Sequence, residues 1–180
     1  MPQITEAPVI QGTSEWLEAR EGLITGSIAD KLLKYRLGDA TLENYKHTRD
    51  TFYTKRGRLL EDEAIELYEA IHKCKVARPG LIFNSKYTNA ACSPDGIDRP
   101  HLIEVKAFAE KNHNEVRDYK SIPFKIMAQL QFNMMICDLK VARLIMYNPD
   151  LADPKEAYRE IEVIRLPKIQ ANLKRRLEMK

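Results

Sequence analysis

The 180-residue chain is poor in the features that would classify it quickly. It has three cysteines, Cys74, Cys92 and Cys137, an odd number scattered over the sequence. They form no CxxC pair and no four-ligand set, which argues against a zinc or iron–sulfur centre and for reduced thiols in a cytoplasmic protein. Charge of one sign is also scarce: 29 Lys+Arg face 26 Asp+Glu, a formal excess of +3. That excess does not by itself mark a nucleic-acid binder, for which clustering of basic residues is the signal. No apolar run approaches the roughly 20 residues of a membrane span, so no membrane partner is expected. The first twelve residues, MPQITEAPVIQG, have neither the basic start nor the apolar core of a signal peptide. Internal repeats and low-complexity tracts are lacking too. At this length a single domain over 1–180 is the expectation, long enough to bury a core without staples.

What is present is a succession of short periodic segments. Residues 1–12 read as an extended arm. A short helix follows in TSEWLEAR, with Thr13 or Ser14 as its N-cap, and a second helix is capped near Ser27 and ends near residue 35. Residues 36–41 read as a loop and 42–73 as charged helix, with Gly57 either dividing it in two or marking a close approach. Within it, Leu60, Ala64, Leu67, Tyr68 and Ile71 recur at helical spacing. Pro79-Gly80 signals a turn into β structure. TNAACSPDGID and HLIEVKAFA read as a hairpin, and IPFKIMAQLQFNMMICD as a buried helix opened near Pro123. VARLIMY and AYREIEVIRL are further strands, and a basic helix opened by Pro167 closes the chain over 168–180. The predicted class is α/β (α+β), a mixed central β-sheet flanked by helices.

The chemistry concentrates in SPDGIDRPHLIEVKAF, residues 93–108. Side chains two apart in a strand share a face, so Glu104 and Lys106 point one way and Ile103, Val105 and Ala107 the other. A hairpin would bring Asp95 beside Glu104. Two converging carboxylates suit a hard divalent cation, and the Val105 carbonyl could supply a third oxygen. Lysine beside such an ion can orient or deprotonate a water or offset charge on an oxyanion, and desolvation with the ion's charge would lower its pKa. These are the requirements of phosphodiester hydrolysis. The competing reading is a surface ion pair on an exposed strand.

Gln129 and Gln131 interrupt an otherwise apolar helix, and a buried amide needs partners. Lying about 200° apart, they cannot both face one site; Gln129 is the chosen residue. Trp16 reads as core more readily than as a stacking residue. His101 reads as a turn residue, and the basic run at 174–176 as a solvated face or a phosphate contact.

Five stretches in order, WLEAREGLITGS (16–27), RGRLLEDEA (56–64), SPDG (93–96), EVK (104–106) and MAQLQ (127–131), resemble the YqaJ/lambda-exonuclease family of phage recombination nucleases, within the PD-(D/E)xK superfamily. The resemblance implies a restriction-endonuclease-like core. It implies a Mg²⁺-dependent 5′–3′ exonuclease, with Mn²⁺ able to substitute, which digests one strand from double-stranded DNA ends and leaves a 3′ overhang for a single-strand annealing protein. Asp95 and Glu104 then look like metal ligands, with Val105, and Lys106 like the catalytic lysine. Glu61 matches the family's helical acidic residue, favoured over Glu63 because Gly57 and Ala64 would leave that helix face lean. Arg20, Ser27 and Ser93 look like a pocket for the terminal 5′-phosphate. Asn133 stands where related nucleases often carry a tyrosine. The resemblance further implies a homotrimeric ring in the host cytoplasm, for which 1–12 and 168–180 are the segments expected to be free. The rival readings are a Holliday-junction resolvase of the same superfamily and a non-catalytic DNA-end-binding domain. All the catalytic positions hold competent residues, which weighs against the last.

Overall fold

The computed structural model describes residues 3–34 and 52–178. The predicted loop at 36–41 and the first part of the predicted helical stretch 42–73 lie outside them.

Two sheets organise the described residues. Strands β1 (Ile4–Ala7), β2 (Leu81–Asn84) and β3 (Ala91–Cys92) form an antiparallel sheet in that order. Strands β4 (Gly96–Asp98), β5 (His101–Lys106), β6 (Val141–Tyr147) and β7 (Tyr158–Ile164) form the second, parallel between β5 and β6 and antiparallel elsewhere. The helices are α1 (Ser14–Ala19), α2 (Ala29–Lys34), α3 (Phe52–His72), α4 (Glu110–Glu115), α5 (Phe124–Ile136) and α6 (Pro167–Glu178). No helix among the described residues is long and apolar enough to cross a membrane.

The four-stranded sheet lies between α5 and α3. On one face Leu102, Leu144 and Met146 pack with Leu130, Phe132 and Met134 of α5, a core that extends to Ile82 and Cys92 of the other sheet. On the other face Ile103, Val105 and Ile145 pack against Ala64, Ile65 and Tyr68 of α3. Each large side chain sealed in these layers contributes about 1.5–3 kcal/mol. The alternation of β5 therefore sends Ile103 and Val105 toward α3 and leaves Glu104 on the side of α5.

α5 is built to be rigid. Its interior holds no glycine or proline, and Pro123 precedes it at the N-cap. It ends with Asp138 at φ 52 and with Leu139 N–H donating to the Met134 carbonyl at 3.0 Å. That return bond across a left-handed residue satisfies carbonyls that a helix end would otherwise leave open.

Several expectations are corrected. The 1–12 arm is not free: β1 pairs with β2 through a register running Ile4↔Asn84 to Ala7↔Leu81. Gly80 lets that segment approach, since a Cβ there would stand 2.3 Å from the Ala7 carbonyl oxygen. The 168–180 helix is not free either, because Leu173 and Leu177 of α6 are buried in the main core. Gly57 neither breaks α3 nor marks a close approach; the helix runs through it, and among the described residues a Cβ there meets nothing within 4 Å. Thr13, not Ser14, caps α1 by accepting from Trp16 N–H. Ser27 caps no helix: it lies inside a 3-10 turn, Gly26–Ile28, that leads into α2.

Candidate active site

A cavity of about 720 Å³ opens between α1, α5 and the C-terminal end of β5. Its floor is Glu104, 1% exposed, so the reading of Glu104 and Lys106 as an exposed surface pair is excluded. Both carboxylate oxygens are held. Oε1 accepts from Lys106 Nζ at 2.6 Å and from Gln129 Nε2 at 2.5 Å, and Oε2 accepts from Asn133 Nδ2 at 3.2 Å. Gln129 and Asn133 are one helical turn apart and share the inward face of α5. That face fits because residue 26 is glycine: a Cβ there would stand 2.3 Å from Asn133 Oδ1. Gln131 points elsewhere. It donates to the Ile164 carbonyl at 2.8 Å, and its Oε1 accepts from Leu166 N–H at 2.8 Å and from Gln170 Nε2 at 3.0 Å.

Asp95 enters from the other strand. The hairpin register pairs Gly96 with Ile103, so Asp95 falls one step further on, beside Glu104. Its Oδ2 accepts from Val105 N–H at 2.7 Å. Glu61 of α3 joins the same wall, with Arg78 between the segments: Nη1 donates to the Asp95 carbonyl at 3.1 Å and lies 3.9 Å from Glu61 Oε1, while Nη2 pairs with Asp62.

Crowding of acids sets the electrostatics. Burial, then repulsion from Glu104 and Glu61, pushes the Asp95 carboxyl well above the usual carboxylate range. Burial pushes Glu61 up to about 7, with Arg78 opposing and Glu104 and Asp62 adding to the rise. Burial alone would lower Lys106, but Glu104 and Asp95 outweigh it and hold the ammonium above its ordinary value. The lowering expected from sequence draws on an ion's charge as well as on burial; among the chain's own groups the neighbouring carboxylates dominate.

The opposite wall carries the residues matched to a phosphate pocket. Arg20 is buried, not solvated, and its guanidinium lies 3.9 Å from the centre of the Trp16 ring. Arg20 Nη2 donates to Thr25 Oγ1 at 3.0 Å and reaches Ser27 Oγ at 3.5 Å. Trp16 Nε1 donates to Ser93 Oγ at 3.1 Å, and Ser93 Oγ donates to the Gly80 carbonyl at 2.8 Å. Arg20, Ser27, Ser93, Glu61, Asp95, Glu104, Val105, Lys106 and Gln129 thus all line one cavity. Among the described residues, no group of three or more His, Cys, Asp or Glu side chains is already closed around a metal position. The donor chemistry nevertheless fits a hard cation: all-oxygen ligands, two of them buried, with a mutual repulsion that a cation would relieve.

Sequence reasoning missed three members of this neighbourhood. Asn133 was detectable, four residues after Gln129 on the same helix. Thr25 sits two before Ser27 in an extended segment. Arg78, a lone charge beside Pro79-Gly80, carries no periodic signal.

Fold and site together define an α/β domain with a buried Asp/Glu-x-Lys floor under an arginine–hydroxyl wall. The chain belongs to the family of the YqaJ-like viral recombinase domain, whose model matches residues 15–140. Its fold is shared with an alkaline exonuclease, LHK-Exo, from Laribacter hongkongensis, with a TM-score of 0.77 at 22% identity over 92% of this chain and 89% of that one. The same enzyme in complex with dAMP gives a TM-score of 0.79 at 22% identity over the same shares. A phage-related exonuclease from Haemophilus somnus 129PT is more distant, at 0.54 and 14% identity over 96% of this chain and 85% of that one. No curated protein matched the chain.

Proposed function

We propose that this chain is a Mg²⁺-dependent 5′–3′ exonuclease that digests one strand of linear duplex DNA and leaves a 3′ single-stranded overhang. The observation that carries the reading is Glu104, sealed at the cavity floor and gripped by Lys106, Gln129 and Asn133, with Asp95 one register step away. A buried carboxylate with this many donors is oriented, not merely paired. Asp95, Glu104 and the Val105 carbonyl, with Glu61, are the groups that would hold Mg²⁺ or Mn²⁺. When bound, the ion supplies a water of lowered pKa and charge neutralisation at the phosphoryl group.

The chain's own residues account for the rest. Lys106, protonated, places positive charge beside the scissile phosphate and can give a proton from Nζ. Gln129 and Asn133 keep Glu104 from rotating. Arg20 offers a planar fork to a terminal 5′-phosphate, with the Thr25, Ser27 and Ser93 hydroxyls beside it. The cavity volume, about 720 Å³, suits a nucleotide, in keeping with the dAMP in the LHK-Exo complex.

Further parts of this reading are a single-strand annealing partner and a homotrimeric ring. Topological enclosure of the duplex would offset the weak electrostatic hold of a chain with net charge +3. With one chain at 20.8 kDa, light scattering separates monomer from trimer. The deciding assay incubates the protein and Mg²⁺ with linear duplex, closed circular duplex and a four-way junction. Nucleotide release from linear ends alone supports the exonuclease. Junction cleavage favours the resolvase, and binding to ends without release favours an end-binding domain.

A further inference from the structure

Two of the scattered cysteines meet. Cys92 ends β3 and Cys137 is the C-cap of α5, and their sulfurs lie 3.3 Å apart. Both are reduced and buried, at 0% and 5% exposure. Cys92 Sγ also faces the Asn133 carbonyl at 3.9 Å. Cys74 belongs to the other core, across the sheet, and is half-buried.

The pair joins two segments that the cavity depends on. Cys92 immediately precedes Ser93, held by Trp16 and Gly80, and Asp95 follows two residues later. Cys137 terminates the helix that presents Gln129 and Asn133 to Glu104. We propose that Cys92 and Cys137 form an oxidation site, converted by a two-electron thiol oxidant to a disulfide that slows DNA digestion by drawing the Ser93–Asp95 segment toward the end of α5.

The geometry asks for little movement. A disulfide bond is about 2.05 Å long, so the sulfurs must close by roughly 1.3 Å. Cys137, the more exposed, meets the oxidant first. With a diazene reagent, the Cys137 sulfur adds to one nitrogen of the N=N bond. Cys92 sulfur then attacks Cys137 Sγ, and the hydrazine leaves with both thiol protons and both electrons. Burial holds the Cys92 thiol protonated and so slows its attack, while the 3.3 Å approach of the two sulfurs makes that second step intramolecular and favours it. The shift falls next to catalytic groups, where a displacement on the order of 1 Å can cost about 10²-fold in rate.

The slowing rests on the nuclease reading; the disulfide does not. The test treats the native full chain with diamide, then denatures and alkylates it for intact mass and peptide mapping. The expected result is loss of two of the three alkylatable thiols and a Cys92–Cys137 linked peptide, both absent in Cys137→Ala and retained in Cys74→Ser. Oxidation should slow nucleotide release at least about tenfold, reversibly with dithiothreitol, and leave Cys137→Ala at its untreated rate. Three alkylatable thiols after treatment, or a link through Cys74, overturns the site. A mapped Cys92–Cys137 link with an unchanged rate overturns its effect on digestion. If the reduced protein releases no nucleotide at all, the nuclease reading fails, while the mapping still decides the oxidation site.

Discussion

Gln129 and Gln131 stand two residues apart on α5, one bonded to the buried carboxylate of Glu104 and the other fastening the start of α6. Both are polar side chains in a helix that is otherwise core, so type and position do not separate them; their partners do. Gln131 meets backbone groups and another amide, and is paired at both ends. On the opposite face, Gln129 and Asn133 converge on a charge, and Asn133 Oδ1 remains buried without a hydrogen-bond partner among the described residues. A native core rarely leaves such an acceptor open, and sites are where it happens. The scaffold face of α5 is satisfied, and the site face is held ready.

Substitutions on the site face should give the largest effects. Glu104→Ala removes the floor carboxylate and is expected to slow nucleotide release by about 10²–10³-fold. Lys106→Ala should keep divalent-cation binding, read by calorimetry, while losing turnover. Arg20→Ala tests the facing wall. A lost charge-assisted bond is worth about 1.5–3 kcal/mol, so digestion of 5′-phosphorylated ends should fall by roughly 10–100-fold and that of 5′-hydroxyl ends far less. Equal slowing on both ends would make Arg20 a general backbone contact or a structural residue.

The glutamine pair itself predicts a crossing of readouts. Gln131→Ala strands backbone groups at the α5–α6 junction and should cost about 1–3 kcal/mol, a drop of several degrees in melting temperature, with the rate per folded molecule retained. Gln129→Ala should do the reverse, melting near wild type but digesting DNA slowly. Loss of stability in both, with rates unchanged, would erase the distinction between the faces.

A further effect on stability is expected from pH without divalent cations. Glu61 is raised to about 7 in the fold from an ordinary 4.5. A raised carboxyl stabilises the native state while protonated, so its contribution is complete below about 4.5 and lost as pH rises through about 7. Melting temperature should fall across that window, and Glu61→Gln should flatten the fall.

Much of this arrangement was legible. Alternation placed Glu104 and Lys106 on one side of β5, the Pro-Asp-Gly turn placed Asp95 opposite, and helical angle alone separated Gln129 from Gln131. Asn133 was visible but set aside as a departure from a family pattern, when its spacing from Gln129 already put it on the site face. β1 left little trace because a short, exposed edge strand buries almost nothing. Gly57 misled because a glycine inside a helix carries no mark of whether anything approaches it. The meeting of Cys92 and Cys137 was out of reach, since a separation of 45 residues says nothing about distance in a folded chain.

The central claim is that the buried acid–lysine floor is a nuclease centre acting from DNA ends. The most direct test measures Mg²⁺-dependent nucleotide release from linear 5′-phosphorylated duplex by wild type and Glu104→Gln, after melting curves show both folded. The account predicts release by wild type from linear DNA, none from closed circles, and at least about 10²-fold slower release by the variant. A folded Glu104→Gln that digests linear DNA at the wild-type rate would contradict it.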